Sequence, residues 1–463
     1  MAKEFDTVVI GAGPGGYVCA IRAAQLGQKV AVVEREYLGG VCLNVGCIPS
    51  KAMINAANYL YKSQNAFSNM GFQLPGNIEV DHKKLQTWKQ GVCDKMSGGV
   101  KQLLKGNKVE VVMGEANFVS KNEIKVGSDT LKAKNFVVAT GSRPIEIPGF
   151  EYDEQTVLSS TGGLAQDKSL KSLLVIGGGY IGLEIGTFMA KLGTKVTVIE
   201  AGPSLLSGVV EKDMVQVLQR KLKKLGVNVV LNAKAKSFKK AQMGLSLSVE
   251  VNGKEETFDG EKILVTVGRK PNSDQLNLKG VGVAIDERGF VKTDAQMRTN
   301  VPNIFAIGDI IGQPMLAHKA SHEGIIAAEV IAGHNRVFDA KTIPAVIFTD
   351  PEIAYCGMTE EEAKKEFGEV LVSKFPFGAN GKAVSMMETD GFVKYIADKK
   401  EHVIRGVHIC GPQASNLISE AVLAIEMGAR LEDVALSIHP HPTLGETMME
   451  AAEATLGHAI HVL

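Results

Sequence analysis

The sequence predicts an α/β chain built on two Rossmann-like dinucleotide-binding domains. Three observations predict it: a glycine fingerprint that occurs twice, a strand–helix–strand frame around each copy, and fifty glycines in an otherwise ordinary globular composition. The 463 residues exceed what one core holds and suffice for three or four domains. The 51 basic and 51 acidic side chains cancel, which argues against a nucleic-acid or anionic-membrane surface. No basic-then-apolar leader precedes the first strand, so no signal or transit peptide is expected. The apolar run "SLLVIGGGYIGLEIGTFMA" carries glycines and a glutamate, and reads as a strand plus a helix rather than a membrane span.

The first copy opens with the strand "FDTVVI" and the glycines Gly11, Gly13 and Gly16. A helix-forming segment follows to Leu26, then the strand "KVAVVE", which ends at Glu34. The second copy repeats this with "SLLVI", Gly177, Gly179 and Gly182, a helix to Leu192, and "KVTVIE" ending at Glu200. In both, the acidic residue comes 23 positions after the first glycine. One such fingerprint is weak; two with the same frame are specific. The first glycine makes the turn, the second lets the backbone approach a pyrophosphate, and the third lets helix and strand pack closely. The helix N-terminus offers free N–H groups to the phosphates. Glu34 and Glu200 are expected to accept ribose hydroxyls, and a carboxylate at Glu200 repels a 2′-phosphate, so the second site should prefer NAD to NADP.

Two dinucleotide sites imply electron passage between two cofactors. The first unit runs directly into "GGVCLNVGCIPSK", where Cys42 and Cys47 stand five residues apart. A flavin exchanges electrons with sulfur more readily than a nicotinamide does, so FAD is expected at the first site and NAD at the second. Six cysteines in so long a chain do not make a disulfide scaffold, and Cys19, Cys93, Cys356 and Cys410 lie singly, as in a reduced cytoplasmic protein. In a regular helix, five residues advance about 7.5 Å, beyond the roughly 7 Å Cα separation that a disulfide tolerates. A bond between Cys42 and Cys47 therefore needs a distorted turn, which Gly46 permits. So short a loop adds little stability, and a strained, easily reduced bond is the better purpose. Two unpaired buried thiols are the alternative. No second pair or histidine cluster lies at ligand spacing, so no metal is expected. Lys51, one helical turn past Cys47, is placed to lower a thiol pKa and to stabilise charge on a reduced flavin.

Near the other end, "SIHPHPTLGETMME" holds His439 and His441 between prolines. Glu446 reads in two ways: as the third position of a capping box begun by Thr443, or as the partner that orients His441 and raises its basicity. A dithiol substrate needs a base, because the thiolate is the nucleophile. Spacing alone does not choose between His439 and His441.

Together "GGVCLNVGCIPSKA", the doubled fingerprint and "HPTLGE" resemble the flavin-dependent pyridine nucleotide–disulfide oxidoreductases, over essentially the whole chain. "ATGSRP", "TVGRKPN", "IFAIGD" and "MLAHKASHEG" fit the later cofactor segments of that family. The match is best with the branch that oxidises protein-bound dihydrolipoamide. The resemblance implies an FAD-binding domain over residues 1–145, an NAD-binding domain over 146–271, a central domain over 272–341 that completes the FAD site, and a C-terminal α+β dimerisation domain over 342–463. It implies that Cys47 contacts the flavin and Cys42 exchanges with substrate. Gly114, Thr140, Gly141, Asp309 and Ala317 line the FAD path, Lys51 pairs with Glu184 beside the flavin, and Gly268 lies on the nicotinamide side. His441 becomes the base, backed by Glu446, and reaches the other subunit of an obligate homodimer. The implied partners are lipoyl domains and the acyltransferase core of 2-oxo acid dehydrogenase complexes, or the lipoyl protein of glycine cleavage. Gly445 and Pro440 depart from the family pattern without altering the His441–Glu446 spacing. A glutathione reductase reading would want basic residues near Glu200, and a mercuric ion reductase a C-terminal cysteine pair; the chain has neither. An FAD-binding subunit with an idle redox pair is the non-enzyme alternative.

Overall fold

The computed structural model of the chain describes residues 2–73, 76, 78–241 and 244–462. The first fingerprint sits at the carboxyl end of the strand Lys3–Ile10, which lies between Val30–Glu34 and Asp129–Val138 in parallel register. Glu110–Met113 pairs beyond Val30–Glu34, and the antiparallel strands Glu123–Val126 and Ala116–Ser120 extend the sheet on the other side. Every residue of Val30–Glu34 is buried, as expected of a strand covered on both faces. The helix Pro14–Gln25 covers one face and packs against Ala317–Ile331. That contact is intimate: a Cβ on Gly15 would meet the Ala320 carbonyl at 2.8 Å, and one on Gly324 the Gly15 carbonyl at 2.5 Å.

The segment 272–341 contributes the strand Ile304–Ala306, laid parallel on Asp129–Val138. Leu276, Leu278, Val283, Val291 and Ile304 share a core with Phe5, Val8 and Phe136 of the first unit. This segment therefore extends the first sheet and its core, and its helix Ala317–Ile331 faces the first fingerprint.

The second unit is a parallel sheet in the order Asn228–Val230, Lys195–Ile199, Ser172–Ile176, Lys262–Val265, Val157–Leu158. A three-stranded antiparallel sheet, Ala233–Ala241, Gly244–Val251 and Lys254–Gly260, is appended to it. Ser142–Pro144 and Arg269–Pro271 pair antiparallel, tying the exit of the first unit to the exit of the second. The C-terminal unit is a five-stranded antiparallel sheet with the order Ala345–Ile347, Glu352–Gly357, Ile404–Gly411, Phe392–Asp398, Val370–Pro376. The helices Ala414–Met427 and Glu446–Thr455 pack on it. Among the described residues no helix is long and apolar enough to cross a membrane.

Candidate active site

The two fingerprints are built alike, glycine by glycine. Gly11 and Gly177 take left-handed φ values of 103° and 106°. A Cβ there would strike a carbonyl of the adjoining strand's end, that of Ala139 at 2.4 Å or of Thr266 at 2.7 Å. Gly13 and Gly179 would meet nothing within 4 Å, so open space lies before the helix N-terminus where a phosphate must approach. A Cβ on Gly16 would sit 1.9 Å from the Gly11 carbonyl, and one on Gly182 2.6 Å from the Gly177 carbonyl. The acidic residues are equivalent too. Glu34 accepts the N–H of Ala12 at 2.7 Å and that of Glu36 at 2.9 Å. Glu200 accepts the N–H of Gly178 and that of Gly202, both at 2.6 Å. Each carboxylate thus clamps its own glycine turn and keeps lone pairs for a ribose hydroxyl.

A cavity of about 960 Å³ opens from the first fingerprint, at the upper end of the roughly 300–1,000 Å³ usual for cofactor sites. It is lined by Gly11, Gly13, Gly16, Glu34, Gly114, Thr140, Gly141, Asp309 and Ala317, and also by Cys42, Cys47, Lys51 and Glu184. The cradle therefore fits an extended dinucleotide whose far end lies against the cysteines. Asp309 is held by Ser142, whose hydroxyl donates to its Oδ2 at 2.6 Å, while Arg269 Nε donates to that hydroxyl at 2.8 Å. Glu323, 2 % exposed, accepts the Gly308 N–H at 2.7 Å and pairs with Lys319 at 2.6 Å, fixing the turn that carries Asp309. Gly177, Gly179, Gly182, Glu200 and Gly268 lie off this cavity; the second unit reaches it through Tyr180, Ile181, Glu184 and Ile185. Gly268, at φ 125°, packs toward Ile145.

The cysteine segment is broken as a five-residue spacing demands. The helix Gly40–Asn44 stops at Val45, and Gly46 takes φ −135° and ψ −108° before the helix Cys47–Asn65 begins. Gly46 is required by crowding, since a Cβ would meet the Val41 carbonyl at 2.9 Å. Asn44 pins the turn by donating to the Leu38 and Gly40 carbonyls, both at 2.9 Å. The side chains of Cys42 and Cys47 are neighbours across this break. The bond offered to Cys47 by the Cys42 thiol lowers the Cys47 pKa to about 7; burial opposes this, Lys51 assists and Glu184 opposes. Cys42, which gives that bond and is itself half-buried, is pushed far above the ordinary thiol range. Cys47 is also the first residue of its helix, where the macrodipole favours a thiolate. Above about pH 7 the reduced pair therefore keeps its remaining proton on Cys42.

Lys51 donates to Glu184 Oε2 at 2.8 Å, linking the redox helix to the helix Tyr180–Lys191 of the second unit. Its ammonium also lies 4.2 Å from the ring centroid of Phe348, which lines the cavity from the C-terminal unit. Nothing in the sequence marks Phe348, while Ser142 and Arg269 stand in the segments "ATGSRP" and "TVGRKPN" without an assigned role.

The structure separates the two histidines. His439 is enclosed, with Nδ1 2.8 Å from the Ser437 carbonyl and Nε2 3.0 Å from Glu420 Oε1. His441 is 79 % exposed, with Nδ1 2.7 Å from Glu446 Oε1. An ionised carboxylate there fixes the proton on Nδ1 and leaves Nε2 free as a base. The capping-box expectation is corrected. The helix starts at Glu446 with Gly445 as its cap, and the Thr443 hydroxyl donates to the Pro440 carbonyl at 2.7 Å. Glu446 does accept the Thr443 N–H at 2.7 Å, but this locks the loop before the helix. Burial pushes the Glu446 carboxyl up, yet the bonds from Thr443 and His441 hold it below its ordinary value. His441 is not among the residues that line the cavity beside Cys42 and Cys47.

Residues 5–324 match the family model described as pyridine nucleotide-disulphide oxidoreductase, and residues 343–452 match the dimerisation domain of the same name. The chain belongs to the pyridine nucleotide-disulphide oxidoreductase family. It is 52 % identical to the dihydrolipoyl dehydrogenase of Geobacillus stearothermophilus, covering 100 % of this chain and 98 % of that one. It is 54 % identical to that of Bacillus subtilis over 99 % of this chain and 98 % of the relative, and 45 % identical to that of Halobacterium salinarum over the same shares. Its fold resembles LpdA of Mycobacterium tuberculosis with a TM-score of 0.90 at 25 % identity, covering 97 % of this chain and 99 % of that one. It also resembles RclA of Escherichia coli, a flavoprotein disulfide reductase, with a TM-score of 0.85 at 25 % identity over 96 % and 98 % of the two chains. Members of this family use FAD and NAD, which the paired cradles suit.

Proposed function

We propose that the chain is a dihydrolipoyl dehydrogenase that oxidises protein-bound dihydrolipoamide to lipoamide and reduces NAD to NADH. The observation that carries this reading is the Cys42–Cys47 pair, set on either side of a broken helical turn in the wall of a dinucleotide cavity. His441, through its free Nε2, takes the proton of a substrate thiol. The resulting thiolate attacks the sulfur of Cys42 in the oxidised Cys42–Cys47 bridge, releasing Cys47 as a thiolate beside Lys51. The second substrate thiol, once deprotonated, displaces Cys42 from the mixed disulfide; the substrate leaves as a cyclic disulfide and the pair is left reduced. The cradle beside the cysteines would hold FAD, which would supply two-electron transfer between the pair and NAD. Gly11, Gly13, Gly16, Glu34, Gly114, Thr140, Gly141, Asp309 and Ala317 hold the flavin nucleotide in this reading. Gly177, Gly179, Gly182, Glu200 and Gly268 hold the nicotinamide nucleotide.

The working form is a homodimer, supported by the match to the dimerisation domain and by the exposure of His441, which does not line the cavity that Cys42 and Cys47 line. The donor of dihydrolipoamide is a lipoyl domain docked on the acyltransferase core of a 2-oxo acid dehydrogenase complex, or a glycine-cleavage lipoyl protein. A reduced cytoplasmic setting is part of the proposal, supported by the burial of Cys19, Cys93, Cys356 and Cys410 as free thiols. A steady-state comparison tests it: dihydrolipoamide with NAD should turn over, whereas NADP and glutathione disulfide should serve poorly. Equal rates with glutathione disulfide and NADPH would refute it.

A further inference from the structure

We propose that Phe348 is a positioning residue for Lys51: its ring face and its backbone N–H hold the Lys51–Glu184 pair against Cys47. The proposal rests on the redox reading of Cys42 and Cys47 given above. Three contacts carry it. The ammonium of Lys51 lies 4.2 Å from the Phe348 ring centroid and 2.8 Å from Glu184 Oε2, so ring and carboxylate bracket it. The Phe348 N–H donates to the other oxygen, Glu184 Oε1, at 3.0 Å. One residue thus engages both members of the pair.

The segment bearing Phe348 is fastened a second time along the same helix. Lys191, two turns beyond Glu184, has its ammonium 2.6 Å from Asp350 Oδ2, and Lys221 approaches Asp350 Oδ1 at 3.5 Å. Lys191 also donates to Asn58 Oδ1 at 2.5 Å, and Asn58 belongs to the redox helix Cys47–Asn65. Residues 348–350 are therefore clamped between that helix and Tyr180–Lys191, with little freedom for the ring to leave Lys51. Cys42, Lys51 and Glu184 are side chains that act on Cys47, and Lys51 is the cation among them. Lys51 is about one-third exposed, so without the ring face its chain has room to turn toward water and away from the sulfur.

The test follows the pH dependence of Cys47 alkylation by iodoacetamide in anaerobically reduced holoenzyme, with the adduct located by peptide mass. Replacing Phe348 with 4-fluoro-, 3,5-difluoro- and pentafluorophenylalanine keeps the volume but progressively weakens the negative ring face, so folding is preserved. The midpoint of alkylation should climb along that series, and F348L should raise it by about half a pH unit. F348Y should titrate like the unsubstituted enzyme. Identical midpoints across the fluorinated series would overturn the proposal and leave Phe348 as a filler of space. An unsubstituted enzyme whose Cys47 titrates in the ordinary thiol range would overturn the redox reading as well, which separates the two failures.

Discussion

Replacement of Cys42 by alanine tests the shared proton directly. The Cys42 thiol supplies the largest influence that lowers the Cys47 pKa from its ordinary 9.0 to about 7. At pH 7 roughly half of Cys47 is then thiolate, against about 1 % for a thiol of ordinary acidity. Removing the donor leaves burial and Glu184 on one side and Lys51 on the other, so the midpoint should return to the ordinary value or pass it. The thiolate fraction at pH 7 should fall roughly fiftyfold. Cys42→Ser, which keeps a donor, should lie between the two. The assay is the second-order rate of reaction of Cys47 with a neutral aromatic disulfide, followed by stopped flow across the pH range in anaerobically reduced protein. On the thiolate plateau the rate constant should rise with the Cys47 pKa of the variant, with a Brønsted slope of about 0.4–0.5. A Cys42→Ala midpoint that stays near 7 would refute the reasoning and would assign the acidity to the helix N-terminus and Lys51 alone.

Gly16→Ala places a Cβ 1.9 Å from the Gly11 carbonyl, a backbone clash no rotamer relieves. At about 1–3 kcal/mol of overpacking, FAD affinity should fall roughly ten- to hundredfold, read from the flavin-to-protein absorbance ratio after dialysis, while Gly182→Ala should retain flavin and weaken NAD. Lys51→Met leaves the buried Glu184 carboxylate with the Phe348 N–H but no cation and should cost about 1–3 kcal/mol; Lys51→Met with Glu184→Leu should recover much of it in calorimetry of the holoenzyme. His441→Gln should lower kcat for dihydrolipoamide about 10²–10⁴-fold, with Glu446→Gln less affected. NADH-driven reduction of an artificial acceptor should be unchanged in both, because that path needs no thiol base.

What the sequence could disclose was local backbone chemistry. The turn at Gly11 and Gly177, the open approach at Gly13 and Gly179, and the close packing at Gly16 and Gly182 follow from residue type at fixed spacing, and the structure realises each in both copies. The break between Cys42 and Cys47 was equally legible, because the geometry of five helical residues excludes a bond without it. The capping box fails because the helix begins only at Glu446, which leaves Thr443 before its cap and its hydroxyl donating to the Pro440 carbonyl. The choice of His441 over His439 could not be made locally: it depends on Glu420, on another helix, which engages Nε2 of His439.

The hardest features to foresee join distant units of the chain. Lys51 meets Glu184 across 133 positions, and Glu184 in turn takes the Phe348 N–H across 164. No spacing rule connects such residues, yet they surround the sulfur on which the proposed chemistry depends. A long-range contact of this kind has a physical consequence that a local motif lacks. The acidity of Cys47 is tied to the docking of the second and C-terminal units on the redox helix, because each supplies a group that positions Lys51. A chain in which either unit is displaced would keep its cysteines and its flavin cradle and still lose the cation from the sulfur. Assembly of the three units, rather than the cysteine motif alone, therefore sets how much of Cys47 is thiolate near neutral pH.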